Sequence, residues 1–92
     1  MYEARTIQLI NQIAHFLRAK KQYRAAECVF DALRNFQPEH AYPRMGLGMV
    51  RAEQGRFIEA QFLFQQVLTY QPGHSYAAAC LGLALLHTDH HG

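Results

Sequence analysis

Histidines are the residues of this chain with the widest chemical range, and there are six of them. His87, His90 and His91 stand together with Asp89. The spacing of His87 and His90 places both imidazoles on one face of a helix. Zinc requires four donors in a closed structural site, and no second His or Cys cluster elsewhere completes the shell. No metal is therefore expected. His40 and His74 recur at the starts of helical segments, a symmetry that points to a helix-boundary role. A catalytic set cannot be assembled either. There is no Cys-His-Asp constellation, nucleophile elbow, Gly-rich phosphate loop or pair of carboxylates, and Gly46-Leu47-Gly48 follows no strand. It reads as close packing within a helix. The chain is expected to be no enzyme and to hold no cofactor.

With chemistry set aside, composition turns the reading toward binding. The chain has 92 residues, half of them hydrophobic. A body of this size buries only about 60–65% of the surface its unfolded chain exposes. So much apolar content means either a dense core or a surface that awaits another chain. The formal net charge is +2, and its basic residues cluster only weakly, in Arg18-Ala19-Lys20-Lys21-Gln22-Tyr23-Arg24. Nucleic acid requires a wide basic face, so it is not an expected partner. Cys28 and Cys80 lie in separate apolar segments without motif spacing, which fits free thiols in a reducing cytoplasm. Met1-Tyr2-Glu3-Ala4-Arg5 lacks a signal-peptide pattern. The longest apolar run, Tyr76 to Leu86, is too short to span a membrane, so no membrane partner is expected.

What positions the side chains is a repeat. Gln37, Pro38, His40 and Tyr42 recur as Gln71, Pro72, His74 and Tyr76, an offset of 34 positions. Ala26 and Phe30 recur as Ala60 and Phe64, Tyr23 answers Phe57, and Leu47-Gly48 answers Leu81-Gly82. That period belongs to solenoids of paired helices. Apolar residues at three-four spacing predict five helices: about Glu3 to Leu17, Gln22 to Asn35, Ala41 to Gln54, Phe57 to Thr69 and Ser75 to Leu86. Pro38 and Pro72-Gly73 close the second and fourth, and Pro43 fits a first turn. Gly55 ends the third, and Ser75 reads as an N-cap. Gly48, Gly82, Ala26 and Ala60 leave room where helix axes cross, while Phe30 and Phe64 fill the hollow between one pair and the next.

The pattern Leu47-Gly48, Gly55, Phe57, Ala60, Phe64, Pro72 resembles the tetratricopeptide repeat, over nearly the whole chain. The expected fold is a single all-α domain over residues 1–92. It is a helical solenoid of about five antiparallel helices, with repeats at about 7–40, 41–74 and 75–88 and a tail at 89–92. Two units are complete and the third has only its first helix. Ala14 and Lys21 replace the usual glycines in the first unit, and Arg51 stands in the second where a large apolar residue is usual.

The resemblance implies a concave groove lined by the first helix of each unit. Its expected lining runs from Asn11 and His15, through Tyr42, Met45 and Met49, to Tyr76, Ala79, Leu83 and Leu86. It grades from polar to apolar along the chain, although burial between helices is an alternative for Met45, Met49 and Leu83. The fifth helix is almost wholly apolar, so it is expected to be buried all round. The second helix of its unit is missing, so another chain should cover it. The short, apolar-grooved build is similar to the tetratricopeptide chaperones of bacterial type III secretion, most closely those for the needle subunit. That similarity implies a cytoplasmic hetero-oligomer that keeps a secreted helical subunit monomeric. It also implies a small helical co-chaperone, placed here against Leu9 and Phe16. The alternative is a generic adaptor or assembly scaffold that binds a peptide or self-associates.

Overall fold

The computed structural model describes residues 4–89, the side chain of Asp89 excepted, and is helical throughout. The helices are α1 (Ala4–Ala19), α2 (Tyr23–Phe36), α3 (Tyr42–Glu53), α4 (Phe57–Tyr70) and α5 (Ser75–Asp89). Each helix packs on the next in chain order, with α1 also touching α3. Among the described residues there are no strands. This is the helical-pair architecture expected from the repeat, drawn out to 47 × 29 × 17 Å.

Turn chemistry sets the helix ends. Gly55 takes φ +79, a left-handed conformation that closes α3. The Arg56 amide donates to the Arg51 carbonyl and the Gly55 amide to Ala52, a Schellman closure. At the equivalent turn after α1, Lys21 adopts φ 62 although it is not glycine. There the Gln22 amide donates to Leu17 and that of Lys21 to Arg18, so the same closure forms despite the side chain. This carries α1 to Ala19, two residues beyond the expected end. The cap of α5 also differs from expectation. Ser75 is already the first helical residue, so the preceding His74 does the capping: its Nδ1 accepts from the Ala77 amide at 3.1 Å. His40, its repeat partner, stands edge-on to Tyr42 and makes no such bond; the cap position of α3 is Ala41.

Two apolar clusters form the core. One gathers Ala14, Ala26, Phe30, Leu33, Leu47, Val50 and Leu63; the other Met45, Ala60, Phe64, Val67 and Ala77. The repeated aromatics are their centres. Phe30 is fully buried, and a Cβ built on Gly46 would lie 2.5 Å from its Cζ. Phe64 reaches Gly48 in the same way, with Cζ 2.8 Å from a Cβ built there. Glycine at both positions is therefore a packing requirement. Gly82 does not share it. A Cβ on Gly82 meets nothing within 4 Å, because among the described residues no helix follows α5 to fill the gap.

Arg51 explains its own departure from the repeat pattern. It pairs with Glu27 of α2 and, from Nε, with Glu59 of α4 at 3.3 Å, bridging two helices that an apolar residue would leave unlinked. Cys28 and Cys80 are free thiols on α2 and α5. The fifth helix is not buried all round within the chain. Ala77 and Ala84 are buried against α4, but Leu83, Leu85 and Leu86 are 59%, 44% and 57% exposed.

Two glycines of the same repeat register should therefore respond oppositely to alanine. In urea titrations, Gly48→Ala should destabilise by about 1–3 kcal/mol, since the ring of Phe64 must shift. Gly82→Ala should stabilise by up to about 1 kcal/mol, since only the helix-propensity gain remains. Equal effects at the two positions would contradict the packing described.

Candidate protein-binding groove

Three of the expected groove residues meet in one place. Met49 from α3 and Tyr76 and Leu83 from α5 line a cavity of about 360 Å³, with Ala52, Phe57 and His87 at its margins. The helix period brings this about: Tyr76 and Leu83 are seven residues apart on α5, two turns along the same face. The Tyr76 hydroxyl donates to the Met49 sulfur at 3.7 Å, a contact that crosses from α5 to α3. Thioether and phenol together make an apolar wall with one polar contact, a surface that adapts to different side chains. Cys80 shares the cavity with Tyr76, and burial pushes its thiol pKa up, partly offset by the nearby Tyr76 hydroxyl.

One end of the cavity is closed by a stacked pair. The His87 ring lies flat on Phe57, with centroids 4.6 Å apart and planes 4° from parallel. His87 thus has an aromatic partner across from α4, while His90 and His91 lie outside the described residues. Toward α1 the surface becomes charged. Arg18 pairs with Glu53, tying α1 to α3 across the concave side. Arg18 also approaches His15 Nδ1 at 3.4 Å, and the His15 ring stands edge-on to buried Phe30 at 5.0 Å. His15 is held below the usual histidine pKa, first by burial, then by the Arg18 charge, with Glu53 acting in the opposite sense. The imidazole is therefore a neutral wall at ordinary pH.

Other expected members are placed differently. Met45 is only 5% exposed, packed with Ala60, Phe64, Val67 and Ala77, so it supports the groove from beneath and does not line it. Its register position is covered by α4 and α5 together, which the unit pattern alone does not reveal. Tyr42 and Asn11 belong to a second cavity, of about 270 Å³, with Ile7, Gln8 and His40. There the Tyr42 hydroxyl donates to Gln37 Oε1, and burial raises its pKa. Ala79 and Leu86 are exposed on α5 but line neither cavity. Leu9 and Phe16 are 56% and 60% exposed on α1, with Ile13 between them and Lys20 over the Phe16 ring. Glu53, Phe57 and His87 line the cavity although the expected lining left them out. The signal was present, since Glu53 and His87 stand 34 positions apart at the ends of equivalent helices.

The position of His15 sets a pH dependence. A histidine with a folded-state pKa below the unfolded value of 6.5 leaves the unfolded chain binding more protons. Stability is then full above about 6.5 and declines as pH falls below it. The melting temperature should drop between about pH 7 and pH 5.5, and His15→Gln should flatten that slope; an unchanged slope in His15→Gln would remove the burial argument.

Against known protein families, residues 4–91 match the family described as bacterial type III secretion protein (HrpB1_HrpK). Among curated proteins nothing matches.

Proposed function

The chain belongs to the HrpB1_HrpK family of bacterial type III secretion proteins, and from that premise we propose that it is a secretion chaperone, not an enzyme. It holds an amphipathic helix of a secreted subunit in the concave groove and keeps that subunit from assembling before export. The client chemistry that fits is a short, strand-poor helical protein of the needle-subunit kind, bound in the bacterial cytoplasm. No helix of the described residues is long and apolar enough to cross a membrane. A tetratricopeptide-like frame, in which first helices line the groove, accounts for the placement of Met49, Tyr76 and Leu83.

The observation that carries this reading is the exposure of Tyr76 and Leu83, 54% and 59%, around an apolar cavity. A monomer gains nothing from large side chains left in water at the centre of a concave face. A bound helix removes them from water, each contributing roughly 1.5–3 kcal/mol. The Arg18–Glu53 pair beside the cavity contributes far less to affinity, because partly exposed ion pairs give about 0–1 kcal/mol. Helix-in-groove recognition uses this division, with apolar anchors for affinity and charges at the rim for register. Leu9, Ile13 and Phe16 on α1 provide a separate apolar stripe for a small helical co-chaperone, so the working form is a hetero-oligomer.

Co-expression with the needle-type subunit of the host secretion system tests the reading. A soluble complex of defined stoichiometry is expected, and Leu83→Asp should weaken it by about 2–3 kcal/mol, roughly 30- to 150-fold in Kd. The circular dichroism of the variant should stay helical, since Leu83 is already in water. A complex that tolerates both Leu83→Asp and Met49→Asp would move the client off this groove. Stable self-assembly in its place, seen by light scattering, would favour a scaffold.

A further inference from the structure

One cavity on the outer face occurs twice, and its two copies differ in chemistry. Between α2, α3 and α4 it is lined by Arg24, Glu27, Cys28, Asp31, Leu47 and Arg51, among others. Between α4 and α5 it is lined by Ile58, Gln61, Phe62, Gln65, Leu81 and Leu85. The second set is the first advanced by 34 positions, residue for residue. Only the leucine at Leu47 and Leu81 is kept. Four charged residues give way to two glutamines, an isoleucine and a leucine, and Cys28 gives way to Phe62.

An outer face of a solenoid that stays in water has the opposite requirement, a polar surface. Here Ile58 and Phe62 are 66% and 65% exposed. Single exposed apolar residues are ordinary, but these surround one cavity. Gly82 shows what shape the surface accepts. Its register partner Gly48 is closed over by Phe64 of the next helix, and Ala14 packs in one cluster with Phe30 in the same way. Gly82 has the notch without the ring.

We propose that the outer face of α4 and α5 docks one amphipathic helix of a partner protein, with an aromatic side chain seated at Gly82. The docked helix takes the position on α5 that α4 takes on α3, so the interface continues the α3–α4 interface by one unit. Its chemistry follows from that continuity. A small residue precedes the aromatic by four positions, as Ala60 precedes Phe64, and a further turn follows it, as Val67 follows Phe64. Where α4 presents Glu59 to Arg51, the partner presents an apolar residue to Leu85, because a carboxylate there has no cation to meet. A second copy of this chain does not fit. Its Phe30 and Phe64 have the small residue before them but are buried. Phe36, four after Ala32, is the last residue of α2 and has no further turn to lay along α5. The exposed Phe16 has Gln12, a long side chain, where the small residue is needed. The outer cavity shares no lining residue with the concave one.

The probe is a fluorescein-labelled peptide of residues 56–71 of this chain carrying Glu59→Leu, with lysines added at its ends, titrated against the 92-residue protein. Saturable binding is expected by anisotropy, weakened about ten-fold or more by Gly82→Leu and by Phe62→Glu, and unchanged by Met49→Asp, which alters the concave cavity on α3. The space at Gly82 is open, so Gly82→Leu should raise the melting temperature while it weakens the peptide, which separates lost docking from lost folding. Folded protein that shows no saturable binding overturns the proposal, as does binding that survives Gly82→Leu. Loss of binding in Met49→Asp places the peptide in the concave groove and overturns it too. A dimer in ultracentrifugation that Gly82→Leu abolishes makes the occupant a second copy, which equally overturns the proposal.

Discussion

The insertion of two phenylalanine rings into gaps left by glycine and alanine holds this structure together. Phe30 lies with Ala14 and Ala26 in one cluster and closes over Gly46; Phe64 lies with Ala60 and Ala77 and closes over Gly48. Each ring thereby joins three helices, not two. Replacing such a ring by alanine costs about 3–5 kcal/mol in other cores, a large share of what a small domain has in total. The remaining contacts arrange themselves around these two points. The ion pairs of Arg51 are an example, since they link α2, α3 and α4 only because the rings have brought those helices within reach.

The same constraint shapes the groove. Close approach at Gly46 and Gly48 draws α3 against its neighbours and leaves Met49, on the adjoining face, directed toward Tyr76. Large side chains inside the crossing push large side chains outside it, so the concave surface collects thioether, phenol and leucine. Where ring insertion stops, at Gly82, apolar surface remains in water. Core and binding surface are therefore two outcomes of one packing rule, separated by whether a following helix is present.

Much of this is legible in the residues alone. The 34-position recurrence places all five helices to within three residues, and names Phe30, Phe64, Ala26 and Ala60 as core. What fails is whatever depends on more than one unit at once. The unit pattern puts Met45 in the groove, yet α4 and α5 cover it jointly, and no local pattern records that. Ser75 looks like a cap by residue type, but a one-residue shift of the helix start hands the role to an imidazole. Glu53 and His87 occupy the last turns of equivalent helices, where type suggests solvent; one crosses to Arg18 and the other lies on Phe57. Side chains that reach between units are set by the angle of stacking, and that angle is not written in any single unit.

The bond between Arg18 and Glu53 gives the molecule an uneven compliance. It is the charged tie across the concave side, with the two side chains 20% and 37% exposed, so dissolved ions reach it and weaken it over a Debye length of about 8–10 Å. The α4–α5 junction is held by packing and by the stack of Phe57 on His87, to which salt is nearly indifferent. Salt thus loosens the charged ties among α1 to α4, those of Arg51 included, and leaves the junction of α4 and α5 as it was.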